Sequence, residues 1–113
     1  MNTPLPPYKA QPWKPSDATD FVRRLAIDQN LTLDLTNHAR DQMNNRDLII
    51  SDVLHVLKYG FILEDPDKAT QPGCFKYRME ASTPAGSRGV RVVAIPWVTP
   101  VEIKVVTVMW RDE

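Results

Sequence analysis

Val90-Arg91-Val92-Val93-Ala94-Ile95 and Ile103-Lys104-Val105-Val106-Thr107-Val108-Met109-Trp110 are the two runs whose reading decides the fold. Both are dense in β-branched side chains, which pack well on a pleated surface and lose rotamer freedom in a helix. Pro96 and Pro100 bracket the connection between them, so the runs read as successive strands. Upstream, Cys74-Phe75-Lys76-Tyr77-Arg78-Met79-Glu80 alternates between apolar and polar positions. Phe61-Ile62-Leu63-Glu64 is a short strand leading to an acidic turn at Asp65-Pro66-Asp67. Turn-forming residues fill Thr83 to Gly89.

The first half of the chain has the period of helices. Ser16 or Asp17 caps a helix running to about Gln29, with Phe21, Val22, Leu25 and Ala26 as its apolar stripe. Leu31-Thr32-Leu33-Asp34-Leu35-Thr36 alternates strictly and reads as a short strand or extended entry segment. Thr36 or Asn37 caps a second helix, in which Ala39 and Met43 face the core. Ser51 opens a third, with Val53, Leu54, Val56 and Leu57 buried and Gly60 as a left-handed terminator. Ile49 and Ile50 read as buried in the link between the second and third helices. Helices first and strands afterwards predict an α+β fold. The N-terminal helices pack on one face of a curved antiparallel β-sheet of about four strands.

Residues 1–15 hold five of the ten prolines and read as an extended proline-rich arm, with residues 16–113 as one α+β domain. Tyr8 and Trp13 are either anchors, for this domain or for a partner, or parts of a partly ordered tail. Fourteen basic and fourteen acidic residues balance, so whole-chain charge argues neither for nor against a polyanion. The distribution is uneven. Residues 16–67 carry five basic and ten acidic side chains, whereas residues 68–111 carry seven basic and only Glu80 and Glu102 as acids. This is either a phosphate-binding face or ordinary solvated charge. Cys74 is the only cysteine, which excludes an intrachain disulfide and a thiolate-rich zinc site. No signal-like or membrane-length apolar run is present, so a cytoplasmic location is expected, with no membrane partner.

The stretch Thr36-Asn37-His38-Ala39-Arg40-Asp41-Gln42-Met43-Asn44-Asn45-Arg46 places one imidazole near two guanidinium groups. Cleaving RNA without a metal requires a base for the ribose 2′-OH, an acid for the leaving oxygen, and cations for the transition-state charge. An imidazole titrates near neutrality and suits proton transfer, and arginine binds phosphate in a planar fork. On an ideal helix His38 and Arg46 lie about 80° apart around the axis and border one groove, whereas Arg40 points about 200° from His38. The alternatives are structural. His38 then bonds a backbone carbonyl or Asp41, and the arginines pair with Asp41, Asp47 or the Glu64-Asp65 turn. His55, set in an apolar-faced helix, reads as structural or exposed, and Cys74 as an inert thiol.

The order His38-Ala39-Arg40-x-x-Met43-x-x-Arg46-x-Leu48, then Ser51-Asp52-Val53-x-x-Val56-Leu57-x-x-Gly60, Glu64-Asp65, Tyr77, Arg91-Val92-Val93-Ala94 and Val106-Thr107-Val108-x-Trp110 resembles a family of small, mostly bacterial proteins. It is the domain of unknown function 4258 family, and the resemblance spans about residues 33–111. That family is similar to RelE- and BrnT-like ribonuclease toxins, of the barnase/EndoU/colicin/RelE-like fold. The resemblance implies a metal-independent endoribonuclease of toxin–antitoxin type, with RNA as substrate, a cognate antitoxin as protein partner, and neither metal nor cofactor.

His38, Arg40 and Arg46 are then the catalytic candidates. On the sheet, Tyr77, Arg91 and Thr107 are the substrate-binding candidates, sharing one face, with Arg78 and Trp110 beside them. Tyr77 and Trp110 also read as core rings, and Arg91 as a solvated strand residue. The added N-terminal helix and the Pro96–Pro100 loop, where a tight hairpin is expected, depart from the family pattern. The competing class is a non-catalytic protein-binding module or a mobile-element inhibitor that acts through a protein partner.

Overall fold

Helix α1 (Pro15–Ala26) opens on Pro15 rather than on a Ser16 or Asp17 cap. Proline's fixed φ suits the first helical position, where an N–H has no partner to lose. The helix stops at Ala26, short of Gln29. There Asp28 Oδ1 accepts the Asn30 N–H at 2.8 Å and turns the chain into strand β1 (Thr32–Leu35). Helix α2 (Asn37–Asn45) is capped by Thr36, whose hydroxyl accepts the Ala39 N–H at 3.1 Å. Asp47, at φ 54°, redirects the chain toward helix α3 (Ile50–Tyr59). Asp52 accepts the Ile49 N–H at 3.0 Å and so fixes the start of α3 one residue earlier than Ser51.

Five further strands follow: β2 (Phe61–Ile62), β3 (Asp67–Lys68), β4 (Phe75–Ser82), β5 (Gly89–Trp97) and β6 (Glu102–Trp110). The computed structural model describes residues 5–83, 86 and 88–113. The turn expected over Thr83 to Gly89 therefore lies partly outside the described residues, at Pro84, Ala85 and Ser87.

The architecture is α+β, but the sheet has six strands rather than about four, and it is mixed rather than wholly antiparallel. Its order is β1-β6-β5-β4-β2, with β3 also pairing β4. β1 lies parallel to β6, setting Leu33 beside Ile103 and Leu35 beside Val105. β2 falls within the short strand expected at Phe61–Glu64, whereas the two-residue β3, at the acidic turn, is too short for alternation to register in sequence. The β1–β6 pair joins segments far apart in the chain. The connection from β5 to β6 is a tight turn at residues 98–101 after all, and Pro96 lies inside β5.

All three helices lie on one face of the sheet. α2 packs on β6, and α3 on β4 and β5, while α1 packs on α3 and β2. Side chains of the core therefore come from alternate strand positions: Tyr77 and Met79, Val90, Val92 and Ala94, and Ile103, Val105 and Val108. Ile49 and Ile50, expected in the core, are 61% and 48% exposed, and Leu48 is the residue that enters the core from the link between α2 and α3. Trp13 brings the proline-rich arm into the core. It is 2% exposed, its ring meets Phe21 edge-on at 5.0 Å, and its backbone N–H donates to the Tyr77 hydroxyl at 2.9 Å.

Gly60 ends α3 without the left-handed turn expected of it; its φ is −78°. Glycine is needed there for space. A Cβ would sit 2.5 Å from the Val56 carbonyl oxygen and 2.7 Å from that of Glu80, and neither backbone atom can yield easily. Gly60→Ala is expected to lower stability by about 1–3 kcal/mol, the usual cost of overpacking, read as a reduced urea midpoint with an unchanged slope.

Candidate nucleic-acid interface

The face of the sheet turned away from the helices carries the other half of each alternation: Lys76, Arg78 and Glu80 on β4, Arg91, Val93, Ile95 and Trp97 on β5, and Lys104 and Thr107 on β6. Near one end of this face is a hollow of about 490 Å³. Lys76, Ile95, Lys104 and Thr107 contribute to it from the strands. Trp97 closes it at the end of β5, the segment from Ala69 to Cys74 walls one side, and Thr36, the cap of α2, stands at another.

A bulge shapes the floor. Val93 pairs with Thr107 but Ala94 pairs with Val105, so Val106 is an extra residue in β6. As a result the consecutive residues Val106 and Thr107 both line the hollow, which a regular strand forbids. Gln42 of α2 steadies the bulge by accepting the Val108 N–H at 2.9 Å.

Charge on this face is mostly neutralised where it is guanidinium. Arg91 pairs with Glu80 at 3.2 Å, and Arg78 with Asp67 at 2.6 Å and Glu64 at 3.0 Å. Lys76 and Lys104 have no ion pair or side-chain hydrogen bond among the described residues. Lys104 is in register with Ile95 of β5 on one side and Asp34 of β1 on the other. Lys76 lies one step beyond the Tyr77–Ala94 pair, on the far flank of Ile95. Two strand spacings put the lysine backbones roughly 10 Å apart, within reach of a common anion. The nearest carboxylates in register are Asp67, which Arg78 occupies, and Asp34, and Glu102 shares the face two residues from Lys104 and opposite Trp97; neither Asp34 nor Glu102 has an ion pair among the described residues.

The structure distributes the residues singled out in the sequence as follows. Thr107 lines the hollow. Arg91 is on the same face but is held by Glu80. Tyr77 does not share that face: it is 1% exposed in the helix-side core. Its hydroxyl accepts from Trp13 and donates to Gln11 Oε1 at 3.1 Å. Burial pushes its pKa above the ordinary tyrosine value, partly opposed by the bond from Trp13. Arg46, the C-cap of α2, grips the Glu113 carboxylate with Nε at 2.9 and 3.0 Å, and its Nη1 donates to the Gln42 carbonyl at 3.2 Å. His38 and Arg40 are exposed on either side of buried Ala39, and neither bonds the other or Arg46. His38 and Arg46 are eight residues apart, about 12 Å along the helix axis. His55 rests on the Tyr59 ring, with centroids 5.1 Å apart. Arg88 covers the Trp110 ring at 4.2 Å and bonds Asp112, holding that carboxyl below its usual range.

Lys76, Lys104, Trp97 and Thr36 were not among the candidates drawn from sequence. Strand parity puts Lys76 opposite Tyr77 and Lys104 opposite Ile103, so their face was readable. Which cations the acids would quench was not. A second hollow of about 770 Å³ lies between the arm, α1 and α3, bordered by Leu5, Phe21, Ile27 and Tyr59. No helix among the described residues is long and apolar enough to cross a membrane.

The model of one family, described as a domain of unknown function, DUF4258, matches residues 35–110. The chain belongs to the DUF4258 family. The matched region runs from the end of β1 through β6, so it takes in the whole wall of the sheet-face hollow, whereas the arm and α1 lie outside it. No curated protein and no solved structure matches the chain.

In this DUF4258 chain Tyr77 is a fastener for the arm. Tyr77→Phe leaves the Trp13 N–H without its partner and is expected to lower stability by about 1–3 kcal/mol. Because folding raises the pKa of Tyr77, its contribution is complete below about pH 10 and is lost as pH rises through the folded value. The parent should therefore lose stability in alkali more steeply than Tyr77→Phe, measured by urea melts at pH 8 and above.

Proposed function

We propose that the helix-free sheet face binds RNA through its backbone phosphates, as a metal-independent endoribonuclease of toxin type holds its substrate. One observation carries the reading: this face neutralises its arginines and leaves Lys76 and Lys104 unpaired on either side of one hollow. An ammonium makes a flexible point contact with phosphate and needs no fork geometry. Thr107, on the same strand as Lys104, adds a hydroxyl to the hollow that has no hydrogen-bond partner among the described residues.

Cleavage is the second part of the reading, supported by the resemblance to RelE- and BrnT-like toxins. The ribose 2′-oxygen attacks phosphorus, the bond to the 5′-oxygen breaks, and a 2′,3′-cyclic phosphate and a 5′-hydroxyl result. Lys76 and Lys104 stabilise the charge that builds on the phosphate oxygens. His38, exposed at the first turn of α2 two residues beyond Thr36, is the proton-transfer group. Arg46 serves as a staple for the C-terminus in this scheme and takes no part in chemistry. A cognate antitoxin is the expected partner. The exposed Leu5, Ile27 and Tyr59 around the larger hollow favour a protein-binding module as the second reading.

Salt dependence separates the two. Retention of single-stranded RNA should fall steeply with salt, and Lys76→Ala or Lys104→Ala should each reduce the log–log slope by about 0.7. A flat salt response, or no retention at low salt, refutes the phosphate reading and favours the protein partner. Cleavage has its own measurement. His38→Ala should abolish release of cyclic-phosphate ends while RNA retention persists, and an alanine variant of full activity removes His38 from the mechanism.

A further inference from the structure

The two lysines account for a phosphate but not for the rest of the hollow. Three tryptophans are present, and two of them have ring contacts elsewhere. Trp13 is buried, with its indole N–H donated to the Lys9 carbonyl at 2.7 Å, and Trp110 lies under the Arg88 guanidinium. Trp97 differs. It is half-buried at the edge of the hollow, with no aromatic neighbour, no cation over its ring and no hydrogen bond at its indole nitrogen among the described residues. Gln71 lines the same hollow with an unengaged side-chain amide.

Resting on the phosphate reading above, we infer that the hollow is a site for one nucleotide drawn out of a single strand, its phosphate between Lys76 and Lys104 and its base against the Trp97 ring. Single-strand sites pair a cationic track with aromatic platforms, because every base has a π-face to offer. The interior of a duplex cannot use this platform, since each base there is already covered on both faces by its neighbours. The bulge brings Thr107 to the same face as the platform, and Gln71 supplies donors and an acceptor at the edge of the base.

The test uses the full chain with two probes of equal length, an unstructured single-stranded RNA and a blunt RNA duplex. Binding of the single strand should quench tryptophan emission, and Trp97→Leu should remove most of the quenching. The same variant should weaken single-strand affinity about five- to a hundred-fold without changing the salt slope. Equal affinity for duplex and single strand, or a Trp97→Leu chain that binds the single strand as tightly as the parent, overturns the inference and leaves the phosphate reading standing. Failure of the parent to retain either probe at low salt overturns both.

Discussion

A sheet covered by helices on one face alone imposes a strict division on its strands. Every second side chain of β4, β5 and β6 must be apolar and must fit beneath α1, α2 and α3. The intervening positions are freed from packing. That division explains why Tyr77 and Lys76, adjacent in sequence, have opposite fates. One is sealed beneath Trp13, and the other stands at the wall of an open hollow. It also explains why a single bulge has so large an effect. One extra residue in β6 breaks the alternation at Val106–Thr107 and presents both to the open face, while Val105 and Val108 stay in the core.

Much of this was legible in the chain. The order of helices and strands, the cap at Thr36, the inward faces of the long strands and the family resemblance all follow from local chemistry. What was hidden is non-local. The parallel partner of β1 lies about seventy residues downstream, and no nearby signal predicts it. The two-residue β3 leaves no alternation to read. The arm looked like a possible loose tail because prolines exclude helix and disfavour strand. The deciding fact was that the Tyr77 hydroxyl and the Phe21 ring make a seat for Trp13.

The arginines show the same limit in electrostatics. Sequence marks Arg46 and Arg91 as phosphate binders because guanidinium and phosphate are matched in shape. Folding instead gives each a carboxylate of comparable geometry, Glu113 and Glu80. Arg23 and Arg24 are used on backbone carbonyls and aromatic rings, Arg23 on Tyr59 and Gly60 and Arg24 on Pro6 and Tyr8. Apart from the exposed Arg40, these forked cations hold elements together, whereas Lys76 and Lys104 are left to the surface. That division is consistent with guanidinium being the more weakly hydrated and more easily buried of the two.

The hydroxyl of Thr19 occupies the outer side of β2, accepting the Ile62 N–H at 2.9 Å and directing its proton to Pro15 O at 2.9 Å or Ile62 O at 3.3 Å. Helix α1 thereby blocks one margin of the sheet to any incoming strand, and the neighbouring β3 is only two charged residues long. The β1 margin is the one with exposed backbone of useful length. A body with a single open strand margin can form a closed pair but cannot propagate by strand addition, so this fold limits fibre growth by its geometry, without help from a net charge, which is zero.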